Sequence, residues 1–469
     1  MRAPDVGIPQ LARIFSYEGL TNKNPDGHAD PRLAESWTLS PDALRWDFNL
    51  REGVVFHDGT TLDAEHVVES LNAWVAQPGA AALRPGLLDV KAITASGPRR
   101  VTVDLHHPTS FLLDDVDMHI GSKGPPGRDS VGTGAYRIVS ESREEVVLES
   151  NDRFVLGAPT IKKIVIRSYQ TLRTAWAALM RGEIDMVSEV AHDAIEFVSN
   201  ENVATHSFLR NYVYLIAFNA QRPQFRSSTV RRALNSAIDR DQLITTVLKG
   251  HGTPANGPLW PRHWAYDASV AGYAYDPSLA LSALRNSGVA RNSAQSPGLP
   301  SGLRFTCLIP DGFAMFERLA LTVQKQLYDA GVDMQIEAVP VDKYDVRIRN
   351  GEFDAVLIDM ISGPTFARPY QFWRSPGELK GLNVFGYRNA EADKWFDALR
   401  HASNDTMVRA AAGQLQRVLR DDPPALFIAW NERTRAISRR FNVPSEPGRD
   451  PLYTLRQWSL NPERQPTTH

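Results

Sequence analysis

A strand–helix–strand run late in the chain limits the possible folds most tightly. Residues 303–309 (LRFTCLI) read as a strand, and Phe316, Leu319, Val323 and Leu327 then recur three and four residues apart as the apolar stripe of a helix. Gly331 stops that helix, and Val332, Met334, Ile336 and Ala338 alternate as a second strand. Strand, helix and strand in this length form a right-handed crossover between parallel strands, so the chain contains an α/β lobe.

One such lobe does not use up 469 residues, a length that fits roughly two to four domains. With 42 % hydrophobic and 23 % charged residues the chain has the composition of a folded globular protein. Its net charge of -2 gives no bulk electrostatic case for nucleic acid or an anionic membrane as partner. Arg outnumbers Lys, which favours planar, bidentate recognition wherever a cation is used in a site. Cys307 is the only cysteine, so an internal disulfide, a Cys-rich zinc cluster and an iron–sulfur centre are excluded. No run approaches the roughly 18 to 20 apolar residues of a membrane span, and residues 1–30 carry no apolar core of a secretory signal.

The rest of the chain alternates in the same way. Residues 44–50 (LRWDFNL) place Leu44, Trp46, Phe48 and Leu50 on one face of a strand; HDGTT makes a turn; and Asp63 is a candidate N-cap for a helix carrying Val67, Leu71 and Trp74. Strands are expected at residues 100–105, 135–140, 145–149 and 161–169, with long loops at 121–134 and 291–302. Residues 174–187 are expected as a short helix that turns at Gly182 into a strand. Residues 211–219 (NYVYLIAFN) are apolar on both faces, as in a central strand covered on two sides. Ser228 or Thr229 is expected to cap the next helix, and Gly250 to end the one after.

Motifs for catalysis are weak. His106, His107 and His119 lack metal-ligand spacing, and adjacent histidines on a strand point to opposite faces. GTG at 132–134 lacks the third glycine and following helix of a dinucleotide site, and neither GxxxxGK[ST] nor GxSxG occurs. The paired carboxylates Asp114–Asp115 and Glu144–Glu145 are sequence neighbours of the kind found on solvated loops.

Eight segments in order resemble the family 5 extracellular solute-binding proteins of ABC importers, the dipeptide, oligopeptide and nickel binders. They are YEGL at Tyr17, PRLAESW at Pro31, WDFNLREGVVFHDGTTLDAEHVVESL at Trp46, GTGAYRI at Gly132, ALMRGEIDMV, AFNAQRPQFRSSTVRRALNSAIDRDQLI at Ala217, GHGTPANGPLWP at Gly250 and GEFDAVLI at Gly351. The resemblance implies a two-lobed α/β periplasmic-binding-protein fold of the cluster C type, with a small mixed α+β domain inserted in the first lobe. Mapped here, residues 1–20 open the first lobe, 21–160 form the inserted domain with its connections, 161–215 continue the first lobe, 216–428 form the second, and 429–469 return to the first. Family members have an opening strand ahead of the YEGL helix. The sixteen residues before Tyr17 do not read as one, so the first lobe is expected to lack a strand.

The resemblance also implies a non-enzymatic, monomeric, extracytoplasmic protein. It would shut over a small-molecule ligand by hinge closure and pass it to importer permease domains, without cofactor or metal, nucleic acid or membrane insertion. A cytosolic ligand sensor on the same scaffold would carry a helix-turn-helix, and none is visible; a glycosidase would need two spaced carboxylates. In peptide-binding members a carboxylate soon after the strand equivalent to residues 353–358 takes the ligand's α-amino group. That position aligns with Gly363, so an ordinary peptide is not the expected ligand, although Asp359 lies close by. The segment instead offers Phe366, Tyr370, Phe372 and Trp373 as rigid faces and Arg368 and Arg374 as charge-assisted donors, a set suited to a planar or sugar-like body bearing a carboxylate or phosphate. Tyr17, Tyr136, Tyr212, Tyr214, Trp260, Asn383, Phe385, Tyr387 and Trp430 complete the expected ligand-binding set, and Glu18 is a ligand contact or an interlobe ion-pair partner.

Overall fold

The computed structural model describes residues 7–125, 130–288, 301–376 and 382–464, so residues 126–129 and 291–300 of the expected loops lie outside the described residues. The chain divides into two compact units. Among the described residues one is Arg210–Asn431, and the other combines residues 7–209 with residues 432–464.

The split unit opens with helix α1 (Ile8–Ser16). Strands β1 (Ala34–Leu39) and β2 (Arg45–Leu50), helix α2 (Ala64–Val75), and strands β3 (Val90–Gly97) and β4 (Arg100–Leu105) follow, with the strands ordered β1-β2-β4-β3 in one antiparallel sheet. Alternation in β2 buries Phe48 and Leu50, and Asp63 caps α2 by accepting from the His66 amide at 3.1 Å. Strands β5 (Tyr136–Glu141), β6 (Glu145–Ser150) and β7 (Lys163–Arg167) make a second antiparallel sheet. Helix α3 (Leu172–Met180) starts in a Thr171–Thr174 capping box and leads through Gly182, at φ +71°, to the short strand β8 (Met186–Val187).

The sixteen-residue strand β9 (Val203–Phe218) carries the chain into the other unit. Helices α4 (Ser228–Ser236) and α5 (Arg240–Thr246) and strand β10 (Gly252–Pro254) come next. The N-cap of α4 is Ser227, not Ser228 or Thr229, and its side chain makes no capping bond. The Ser228 and Thr229 hydroxyls instead accept from the Arg232 guanidinium. The crossover is present as β11 (Arg304–Pro310), α6 (Ala314–Asp329) and β12 (Asp333–Val339), with β11 and β12 parallel from Arg304↔Asp333 to Pro310↔Val339. Helix α7 (Val341–Asn350), strand β13 (Ala355–Ile361), helices α8 (Ala367–Trp373), α9 (Ala390–Arg400) and α10 (Asp405–Asp421) and strand β14 (Ala425–Ser438) complete the unit. Its sheet runs β14-β9-β13-β11-β12, with β10 on β14; β13 is parallel to β11 and antiparallel to β9. Beyond Asn431, β14 pairs with β8 in the split unit.

Phe316, Leu319, Val323 and Leu327 of α6 are buried in one cluster with Ile216 and Phe218 of β9 and Leu357 of β13. Each such side chain contributes about 1.5 to 3 kcal/mol by leaving water. Two arginines lie inside the same unit. Arg240 donates to the carbonyls of Asn235, Ala255 and Phe427 and to Asn235 Oδ1, and its burial pulls the guanidinium pKa down to about 10. Arg231 holds the Asp422 carboxylate and the Phe225 and Pro423 carbonyls. These contacts tie α4 and α5 to the start of β14, so RRALNSAIDR is a buried clamp as well as a turn between helices. Arg240→Ala leaves several interior carbonyls unpaired and should lower the unfolding free energy by at least about 3 kcal/mol in urea titration.

Candidate functional site

In the Arg210–Asn431 unit, the sheet end where β9 enters and β13 leaves collects the polar groups of interest. The antiparallel register sets Tyr212 opposite Ile361 and Tyr214 opposite Asp359, so these residues and Arg210 share one face. The Arg210 guanidinium stacks on the Tyr212 ring at 3.7 Å and reaches Asp359 at 3.3 Å, with 27 % of the arginine side chain exposed. Tyr214 is buried edge-on against Phe316, and its hydroxyl accepts from Asn431 Nδ2 at 3.1 Å. The other amide atom, Asn431 Oδ1, is buried without a hydrogen-bond partner among the described residues.

Beside this face the chain turns back after β13. The amides of Ser362 and Gly363 both donate to the Asn211 carbonyl, at 2.9 and 3.3 Å, and Ser362 Oγ donates to the Pro258 carbonyl at 2.6 Å. Gly363 lies flat against Trp260: a Cβ there would stand 2.7 Å from two indole carbons, inside any real contact distance. Trp260 in turn meets Trp430 edge-to-face at 4.8 Å. Both tryptophans are almost wholly buried, so they back the sheet end instead of projecting from it.

The segment after Gly363 turns inward. Phe366 packs on His263 at 4.0 Å, and Trp373 stacks on Phe385 at 5.3 Å with Phe427 at its edge. Tyr370 sits edge-on to Phe396, and burial raises its phenol pKa. The Tyr387 hydroxyl donates to the Asp422 carbonyl, and Asn383 Nδ2 donates to the carbonyls of Arg374 and Tyr387. Arg374 forks onto Asp397 at 2.7 and 2.8 Å, which holds its guanidinium more firmly protonated than usual, and Arg368 donates to Gln371 at 3.1 Å. Phe366, Tyr370, Trp373, Phe385 and Tyr387 are therefore interior residues of this unit. Both arginines are engaged by neighbours on α8 or α9.

Tyr17, Glu18 and Tyr136 belong to the split unit. Tyr17 donates to the Ser130 carbonyl at 2.6 Å and stacks with His119. Burial pushes the Tyr136 phenol up to about 12. Gly132 and Gly134 explain the GTG motif: where the loop crosses the end of α1, a Cβ on Gly132 would run into the Ser16 carbonyl oxygen and one on Gly134 into the Phe15 carbonyl oxygen. Glu18 accepts from Thr133 Oγ1 at 3.1 Å near Arg32 and Arg51, yet burial outweighs all three and lifts its carboxyl to about 7.

The family model for bacterial extracellular solute-binding proteins, family 5, matches residues 28–378, well over half of the chain. The chain belongs to this family. As a family 5 protein it has the two-lobed periplasmic-binding-protein fold and is a substrate-binding component of an ABC importer. It is 25 % identical over 470 residues to the oligopeptide-binding protein AppA of Bacillus subtilis, covering 95 % of this chain and 86 % of the relative. It is equally 25 % identical over 459 residues to the probable D,D-dipeptide-binding periplasmic protein DdpA of Escherichia coli K12, covering 92 % and 85 %. Among solved structures, NikZ from Campylobacter jejuni in complex with Ni(L-His) superposes with a TM-score of 0.82 at 22 % identity, over 94 % of this chain and 93 % of that one.

Arg210 and Asn431 were not singled out by sequence reasoning. Arg210 sits two residues before Tyr212 on the same alternation, a signal that was available; Asn431 shows only as the residue after Trp430. Two outcomes follow from the packing. Gly363→Ala forces Trp260 off its seat and should cost about 1 to 3 kcal/mol, read as a lower melting temperature together with a shifted tryptophan emission. Glu18 binds its proton more tightly folded than unfolded, so its contribution is full below the ordinary carboxylate pKa and is lost as pH rises through about 7. Glu18→Gln should flatten the decline of melting temperature between pH 5 and pH 8, scanned by calorimetry, relative to the parent protein.

Proposed function

We propose that this solute-binding protein captures a small anionic or polar solute, not an ordinary peptide, and delivers it to importer permease domains outside the cytoplasm. The observation that carries the reading is the Arg210–Tyr212–Asp359 face. A guanidinium has five N–H donors, and one 3.3 Å contact to Asp359 leaves most of them for a ligand carboxylate or phosphate. The Tyr212 ring beneath holds the guanidinium plane in place. Recognition of an α-ammonium lacks support here: Gly363 has no room for a carboxylate-bearing side chain under Trp260, and the Asp359 carboxylate is already beside a cation.

Of the residues expected from sequence, Tyr212 carries this reading, with buried Tyr214, Trp260 and Trp430 as backing and Arg210 and Asn431 added. A charge-assisted hydrogen bond contributes roughly 1.5 to 3 kcal/mol, so a fork from Arg210 to a ligand anion supplies a substantial share of the roughly 8 kcal/mol that a Kd near 1 μM requires. The chain passes between its two units twice, in β9 and β14, which is the connectivity that hinge closure on a ligand requires. Capture then works as a population shift toward the ligand-bound form, with no chemistry done on the ligand.

The test is a thermal-shift screen of carboxylates, sugar acids, phosphates, neutral sugars and plain dipeptides. A true ligand should raise the melting temperature with concentration. Arg210→Gln should weaken an anionic hit by roughly tenfold or more by calorimetric titration, whereas Arg374→Ala, which loses the fork to Asp397 and the Ser375 carbonyl, should lower stability and leave affinity within about twofold. Tight binding of plain dipeptides, or full affinity in Arg210→Gln, would overturn the reading.

A further inference from the structure

The ion pair where β9 enters and β13 leaves is built differently from two others in the same unit. Arg374 forks onto Asp397 at 2.7 and 2.8 Å, and Arg347 spreads two nitrogens over Glu337 at 2.5 and 3.1 Å. Arg210 meets Asp359 through one nitrogen, Nη1, at 3.3 Å, and its plane lies on the Tyr212 ring at 3.7 Å. The ring sets the guanidinium plane, and the fork is left unspent. Exposure differs in the same sense. The Arg210 side chain is 27 % exposed and the Asp359 side chain 12 %, so an arriving solute meets the cation, while the carboxylate beside it is screened little by water. The antiparallel register, which sets Asp359 opposite Tyr214, keeps that carboxylate on the Arg210 face.

This arrangement limits the charge of the guest. A guanidinium alone favours a dianion, because attraction grows in proportion to the guest's charge. A guanidinium beside a shielded carboxylate offers only the field of a dipole, whereas the cost of taking an ion out of water grows with the square of its charge. One negative charge is met by the N–H fork; a second one faces Asp359. Arg374 does not make up the difference, since its fork is spent on Asp397. We propose that Asp359 is the charge filter of this site, restricting the guest at Arg210 to a monoanion of the carboxylate class and turning away dianions such as phosphate monoesters. The inference rests on the reading of Arg210 as the anchor of the solute and narrows it from anions in general to one charge state. A planar carboxylate also matches the fork through two parallel hydrogen bonds. Asp359 is thus a specificity residue that acts through its charge and through the cation it accompanies.

The experiment titrates acetate, dimethyl phosphate and methyl phosphate at pH 8 and constant ionic strength into the parent protein and the Arg210→Gln, Asp359→Asn and Asp359→Glu variants. Calorimetry and thermal shift are the readouts. The first two probes are monoanions and the third is mostly a dianion, and the two phosphates present the same kind of oxygen. The parent should bind both monoanions about fivefold or more tighter than methyl phosphate. Asp359→Asn should gain about tenfold or more for methyl phosphate and less than about threefold for the monoanions, and Asp359→Glu, which keeps the charge, should keep the parent's order. Arg210→Gln should lose all three. A parent that prefers methyl phosphate to dimethyl phosphate, or a preference that Asp359→Asn leaves within about twofold, would overturn the filter and leave Arg210 as the anchor. Binding that survives Arg210→Gln, or no binding of any probe to the parent and to Asp359→Asn, would overturn the filter and the anchor together. The parent's own ratio between the two phosphates decides the matter even where a variant does not fold.

Discussion

The antiparallel pairing of β9 with β13 is the constraint on which the rest of the Arg210–Asn431 unit depends. It joins a parallel crossover, β11–α6–β12 with β13, to the strand that brings the chain in from the other unit. Side chains on a strand repeat every two residues, so the register Tyr212↔Ile361 and Tyr214↔Asp359 decides which groups meet. A slip of one residue would turn Arg210, Tyr212 and Tyr214 to the other face, part Arg210 from Asp359 and carry the Tyr214 hydroxyl away from Asn431.

Several devices hold that register. The Asn211 carbonyl accepts both amides that follow β13, and Gly363 then passes under Trp260 because it has no side chain. At the opposite end of the sheet, Asn219 donates to the carbonyls of Gly351 and Phe353, which pins the exit of β9 to the entry of β13. Arg231 and Arg240 bring the start of β14 to the same helices. Buried cations of this kind are tolerated because carbonyl and carboxylate oxygens replace the water they have lost. The motifs AFNAQR and VRRALNSAIDR are thus physical requirements of one sheet: an amide that closes a loop and two guanidinium clamps.

Much of this was legible in advance. The period-two runs at β2 and β12 and the three-and-four spacing in α6 gave their elements directly, because burial on one face leaves a periodic trace. Asp63 was readable as a cap, since a short acceptor before a helix meets its free amides. The aromatic segment after Gly363 was not legible in the same way. Phe366, Tyr370, Trp373, Phe385 and Tyr387 have the composition of a ligand wall, but composition does not say which side of a helix faces the interior. The arginines show the same limit, for Arg374 is spent on Asp397, twenty-three residues away, while Arg210 stacks on Tyr212 near the expected site.

By itself the sequence determined the family, the α/β class and the crossover. These follow from local periodicity and from motifs kept in order, which are written in neighbours along the chain. Only the tertiary structure decided that Asp359 faces Arg210, that Trp260 seals Gly363 and that Asn431 lies against Tyr214. Each of these joins residues far apart in the chain, and which partner a charge, ring or strand edge finds is set by sheet order and register, quantities with no local signature.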